Sequence, residues 1–160
     1  MIRLPLAVLG PAFGLAAVSA SAAALAATVR IGAIAARLWY NNSGTLSGNL
    51  LAGKEPFVGW NTVIGEGAAG EPATDLMVDV TMLGNRSEEQ SVDEPLEIWV
   101  TEKAGKIIAR RKFDYMLVPQ QGALHNTLWL QDVGCAGKLT FHARFRKQIK
   151  TASLALDCGE

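Results

Sequence analysis

The feature that most constrains this chain is a series of short segments, after its N-terminal stretch, in which apolar and polar residues alternate. In residues 138–146, one set of alternating positions holds Leu139, Phe141, Ala143 and Phe145, and the other set is polar or charged. Such alternation predicts a β-strand with one buried and one solvated face. No apolar repeat of helical period extends over a useful length in the same part of the chain. We therefore expect a domain built from strands.

Turn-forming residues separate these segments. The clearest hairpin is residues 96–113, in which the short connection Lys103–Lys106 joins two runs of similar length. Strand number and spacing together favour an antiparallel β-sandwich of 7–8 strands. The predicted strands are residues 31–40, 57–64, 76–83, 96–101, 107–113, 124–130, 138–146 and 152–157.

Three residues between the predicted strands 124–130 and 138–146 refine this fold. Asp132, Val133 and Gly134 form an Asp-x-Gly sequence. It resembles the corner that immunoglobulin-type sandwiches carry between their fifth and sixth strands, although the Tyr usual for that corner is absent. The resemblance implies an all-β, immunoglobulin-like antiparallel sandwich.

The N-terminal segment is uncharged between Arg3 and Arg30 and is rich in Ala and Leu. A basic residue, an apolar stretch and small residues near its end are typical of a secretory signal peptide. We assign residues 1–27 to the signal, with cleavage at about 22–27. Residues 28–160 then form a single domain, expected to be periplasmic or secreted.

An uncleaved membrane anchor is the alternative for this segment. The 26 uncharged residues are long enough to cross a hydrocarbon core of about 30 Å. The predominance of weakly apolar Ala favours cleavage over anchoring. No later apolar run is long enough to span, so we expect no stable membrane span in the mature chain.

The two cysteines, Cys135 and Cys158, both follow the signal. An even count in an exported chain is typical of a disulfide, and their spacing fits neither a redox pair nor a zinc knuckle. A reactive thiol needs an activating base, and no local catalytic pattern accompanies either residue. We predict a Cys135–Cys158 disulfide.

Charge is zero in total but unevenly distributed along the chain. Residues 55–102 contain eleven acidic residues and one basic residue, and residues 103–150 contain ten basic residues and two acidic ones. One interpretation is that neighbouring hairpins neutralise one another across strands. The other is a basic face that binds an anionic partner, an envelope protein or glycan. The candidate residues of this face are Arg110, Lys112, Arg144 and Arg146.

Nucleic acid is excluded as the expected partner. Phosphate binding is driven by a large excess of positive charge, and an exported chain near neutrality does not supply it.

A glycine-rich acidic connection follows the predicted strand 57–64. Such a loop places aromatic, amide and carboxylate groups where a partner can contact them. The candidate binding residues are Glu66 and Glu71 in this connection and Trp60 and Asn61 before it.

Catalytic patterns are lacking. The chain has no Gly-x-Ser-x-Gly elbow, no His-Glu-x-x-His pair and no phosphate-binding loop, so we expect neither an enzyme nor a cofactor. The two histidines, His125 and His142, fall on the outward faces of their predicted strands. If those strands paired, the imidazoles and a nearby carboxylate would make a weak metal site.

Three functions are consistent with these patterns. The leading hypothesis is an exported, disulfide-linked binding or structural module of the cell envelope. The first alternative is a small inhibitor or immunity-type protein that blocks another protein with its acidic loops. The second alternative is an exported metal-binding protein that uses His125 and His142.

Overall fold

The structure, a computed structural model, describes residues 29–53, 57, 69–84 and 88–156. A single turn of 3-10 helix, Leu50–Ala52, accompanies the strands in this part of the chain. The strands are β1 Arg30–Tyr40, β2 Thr45–Leu46, β3 Asp75–Leu83, β4 Gln90–Val92, β5 Leu96–Thr101, β6 Ile107–Phe113, β7 Met116–Val118, β8 Leu124–Leu130, β9 Gly137–Phe145 and β10 Gln148–Leu156.

Two antiparallel sheets form the layers of a sandwich. The first sheet has the order β2-β1-β3-β8, and the second has the order β10-β9-β5-β6. A separate two-stranded ribbon pairs β4 with β7. The second order matches the G-F-C-C′ order of an immunoglobulin-type sheet, with β5 in the place of strand C and β6 in the place of the additional strand C′. The prediction of an all-β antiparallel sandwich is confirmed.

The core lies between the sheets and follows the alternation seen in the sequence. In β9, Leu139, Phe141, Ala143 and Phe145 are each 0% exposed, as are Leu96, Ile98 and Val100 in β5. Facing them from β3 are Leu76, Val78, Val80 and Met82, also fully buried. The outward positions of β5, β6 and β9 are thereby fixed on one solvent-exposed surface.

The Asp-x-Gly corner lies between β8 and β9, as the sequence predicted. Asp132 has a positive φ of 54°, and the Val133 amide donates to the Thr74 carbonyl at 2.8 Å. A Cβ at Gly134 would lie 3.0 Å from the Ala73 carbonyl oxygen, so glycine permits this close approach of two backbone segments. The corner is therefore attached to the start of β3.

The Asp75 side chain forms further hydrogen bonds at this corner. Its carboxylate accepts from the Trp129 indole at 3.1 Å and from the Asp132 amide at 3.3 Å. These donors, the indole first, lower the pKa of Asp75.

Long basic side chains connect the sheets at the two sides of the sandwich. On one side, the Arg111 guanidinium of β6 donates to the Thr127 carbonyl of β8 at 2.9 Å. On the other side, the Lys150 ammonium of β10 donates to the Gly32 carbonyl of β1. Both acceptors belong to the backbone.

Two strand predictions need correction, and two short strands were missed. β10 begins at Gln148 instead of residue 152, because a two-residue turn at Arg146 and Lys147 lets the ladder start at Phe145. Arg146 was predicted as a strand residue and adopts a turn conformation, with a positive φ of 54°. The short strands β4 and β7 were not predicted. The predicted strand 57–64 lies outside the described residues apart from Phe57.

Candidate functional site

Outward-facing residues of β5, β6 and β9 form a surface that we call the Trp99 face. β5 lies between the other two strands, so each of its outward residues has a cross-strand neighbour on both sides. Trp99 lies opposite Arg110 of β6 and His142 of β9. The next row places Lys112 and Arg144 on either side of Glu97. The face consists of Glu97, Trp99, Thr101, Arg110, Lys112, His142 and Arg144.

Trp99 is the centre of this face. The His142 ring stacks on it with a centroid separation of 4.8 Å and an interplanar angle of 2°. The guanidinium carbons of Arg110 and Arg144 each lie 6.0 Å from the centroid of the indole. A cation at this distance is attracted by the quadrupole of the ring. The two arginines are thus held beside an aromatic surface on a rigid sheet.

His142 is oriented by a second contact. Its Nε2 lies 3.1 Å from the Thr101 hydroxyl. Partial burial lowers the pKa of His142 below its usual 6.5. The ring is therefore neutral at pH 7, and the positive charge of the face comes from its arginines and lysine.

The burial of His142 makes folding stability depend on pH. The unfolded chain takes up the histidine proton near 6.5, and the folded chain takes it up at a lower pH, so acid favours unfolding in that interval. We expect the free energy of unfolding to fall as the pH drops below 6.5, and to fall less in His142→Gln. Urea titrations at neutral pH and about one unit below 6.5 measure both slopes. The unmodified protein and the His142→Gln variant both retain His125, so its contribution is the same in the two titrations. Equal slopes for the two proteins would contradict the prediction.

Ion pairs neutralise part of the positive charge. Arg144 contacts Glu97 at 2.9 Å, Lys112 contacts Asp114, and Arg146, in the turn after β9, contacts Glu94 at 2.8 Å. The Arg146 hydrogen bond lowers the pKa of Glu94, and the Asp114 contact raises the pKa of Lys112. The Arg144–Glu97 and Arg146–Glu94 pairs are the neutralisation between neighbouring segments that the charge distribution allowed, whereas Lys112 and Asp114 are neighbours in the sequence.

Arg110 differs from the other basic residues of the face. No described carboxylate lies within ion-pair distance of its guanidinium. Of the four predicted basic residues, Arg110, Lys112 and Arg144 share the Trp99 face, and Arg146 lies beside it in the turn. An anion on this face therefore finds an available guanidinium at Arg110, an aromatic surface at Trp99 and polar groups at Thr101 and His142.

The predicted loop site is described only in part. Trp60, Asn61 and Glu66 lie outside the described residues. Glu71 accepts a hydrogen bond from the Ser43 amide at 3.1 Å, so its carboxylate contacts the turn after β1.

The two histidines do not come together. β8, which carries His125, pairs with β3, and β9, which carries His142, pairs with β5 and β10. The strand pairing that the two-histidine metal site required is therefore wrong. His125 instead contacts the buried Asp79 carboxylate at 2.7 Å. The described residues contain no group of three or more His, Cys, Asp or Glu side chains that could hold a metal ion.

Cys135 follows the Asp-x-Gly corner, and Cys158 lies outside the described residues. The disulfide stays a prediction, and so does the signal peptide, since residues 1–28 are not described. Within the described ranges, no helix has the length and apolar character needed to cross a bilayer.

A groove between β6 and β8 was not predicted. It opens between the edges of the two sheets and has a volume of about 420 Å³. Its lining residues are Ile108, Ala109, Trp129, Leu130, Gln131 and Val133. The apolar residues of β6 are visible in the sequence. The groove forms because β6 and β8 are edge strands of the two sheets on the same side of the sandwich, and this arrangement is not visible in the sequence.

No protein-family model and no curated protein matches this chain. Among solved structures, it is similar to a β-glucosidase from Erythrobacter marinus, with 10% sequence identity and a TM-score of 0.42. The similarity covers 81% of this chain and 15% of the β-glucosidase, so the chain spans a small part of that protein's length.

Proposed function

We propose that this chain is an exported binding module of the cell envelope that holds an anionic partner, a protein or a glycan, on the Trp99 face. The observation that carries the proposal is the arrangement around Trp99. An indole stacked on a neutral imidazole is flanked by two guanidinium groups, and one of these, Arg110, has no carboxylate partner among the described residues.

The rigidity of the sheet supports a binding role. Every residue of the face except those of β6 belongs to a strand paired on both sides, and the inward residues of β5 and β9 are fully buried. Because the backbone beneath these side chains is already ordered, binding costs little backbone entropy. Aromatic residues and Arg are also the side chains that contribute most to binding energy in interfaces.

The positive charge and the hydrogen-bonding groups of the Trp99 face favour a partner that carries anionic groups. Carboxylate, sulfate or phosphate groups complement Arg110, whereas Thr101 supplies a hydroxyl near the Trp99–His142 stack. The N-terminal pattern of residues 1–27 and the paired cysteine count support export, so we expect the partner in the envelope.

Arg110→Glu tests this function directly. Because Arg110 has no ion pair among the described residues, its reversal removes an attractive charge without freeing a described carboxylate. The amount of envelope material retained by the immobilised protein at low salt is expected to fall about tenfold. Retention is read by mass spectrometry for proteins and by glycan analysis.

The matched control is Arg30→Glu, which makes the same change at an exposed residue of the first sheet. It is expected to retain the partner as the unmodified protein does. Equal retention by the Arg110→Glu variant, or retention that does not weaken at high salt, would overturn the assignment of the Trp99 face.

A further inference from the structure

The outer edge of β6 is open. β6 is the last strand of its sheet, and β5 is its one described strand partner. All seven of its residues are exposed or partly exposed, including Ile107 at 44% and Ile108 at 37%. An edge strand presents amide and carbonyl groups that can pair with another extended chain.

The groove beside this edge is lined mostly by apolar residues and has space for side chains. Ile108 and Ala109 line it from β6, and Trp129, which is 41% exposed, lines it from β8. The volume of about 420 Å³ accommodates more than one apolar side chain of an inserted segment. The contact between Arg111 and the Thr127 carbonyl joins the two edge strands on the same side of the sandwich.

The charge near this edge indicates which segment can occupy it. Lys103 and Lys106, in the turn before β6, and Arg110 have no ion pair with a described carboxylate. An acidic segment is therefore favoured along β6.

Charge also argues against a second copy of this chain. Arg110 is the middle residue of β6, so symmetric antiparallel pairing of two β6 strands would place the two Arg110 residues opposite each other. Like charges directly opposite destabilise a strand pair.

We propose that β6 binds an extended acidic segment of a partner protein, which adds to the sheet as a further strand and inserts apolar side chains into the groove beside β8. Successive side chains of such a segment point to opposite faces of the sheet. One set enters the groove between Ala109 and Trp129, and the alternate set lies beside Arg110 and Lys112 of the Trp99 face. This inference rests on the proposed function, since it names the anionic partner as a peptide.

The test uses short synthetic peptides and the purified oxidised protein. In the probe peptide Glu and Val alternate; in the two control peptides Lys replaces Glu, or Gly replaces Val. We expect the probe to bind, to protect β6 amides from hydrogen exchange, and to bind about tenfold more tightly than either control. Equal binding of the Lys peptide, or absence of protection in β6, would overturn the proposal.

A pair of matched variants locates the site. Ala109→Phe fills the groove and is expected to weaken peptide binding about tenfold. Ala155→Phe makes the same change in the groove between β10 and the 3-10 helix, at the opposite edge of the sheet, and is expected to leave binding unchanged. Similar effects of the two variants would contradict binding at β6.

The outcome also separates this inference from the proposed function. If envelope material is retained through Arg110 but the probe peptide does not bind, the strand-addition proposal fails and the Trp99 face stands. If neither binds, both proposals fail.

Discussion

Replacing Cys135 by Ala is expected to lower the free energy of unfolding by about 3 kcal/mol. The predicted cross-link closes a loop of about 24 residues that contains the β9–β10 hairpin, and closing such a loop restricts the unfolded chain. The ladder supports the pairing, because it ends with Gly137 opposite Leu156. In the sequence, Cys135 precedes Gly137 by two positions and Cys158 follows Leu156 by two positions, so both cysteines are close to this end of the hairpin along the chain.

The measurement is urea denaturation of four samples: the unmodified protein, oxidised or reduced, and Cys135→Ala or Cys158→Ala. The reduced protein and both variants are expected to unfold at similar, lower urea concentrations than the oxidised protein. A midpoint that does not respond to reductant would mean that the disulfide does not form.

Phe141→Ala is the second large expected effect, a loss of about 3 to 5 kcal/mol. Phe141 is 0% exposed and lies in the ladder between Val100 of β5 and Ala152 of β10. Its truncation leaves a cavity directly beneath the strands that carry Trp99 and His142. Denaturant titration measures the loss, and the partner retained on the Trp99 face reports whether the surface above is disturbed.

Phe113→Ala is the matched control for this substitution. Phe113 is only partly buried at the end of the edge strand β6, so its truncation is expected to cost about 1 to 2 kcal/mol. Equal losses at the two positions would show that the centre of the core is not around β9.

Strand positions were well predicted where alternation is strong. β5, β6 and β8 begin and end at the predicted residues. β5 alternates between apolar and polar residues, and β6, which does not alternate, is bounded by the Lys103–Lys106 connection before it and by Asp114 after it. The first half of β10 was missed, since Lys150 and Thr151 are exposed and give no apolar signal. β4 and β7 are too short for alternation to be visible.

The candidate site was predicted in part for a similar reason. Alternation within single strands placed Arg110 and Lys112 on one face, and His142 and Arg144 on another outward face. That these two sets meet on either side of Trp99 depends on the pairing of β5 with both β6 and β9. Pairing between distant segments is not encoded in local periodicity, which is also why the groove beside β6 was not found.

The contacts that join the two sheets at their sides have a consequence for stability in acid. The Arg144–Glu97 and Arg146–Glu94 pairs disappear when their carboxylates are protonated. Arg111 and Lys150 instead donate to backbone carbonyls, which take up no proton in mild acid. The two contacts between the sheets are therefore expected to persist at an acidity that protonates Glu94 and Glu97 and breaks their ion pairs.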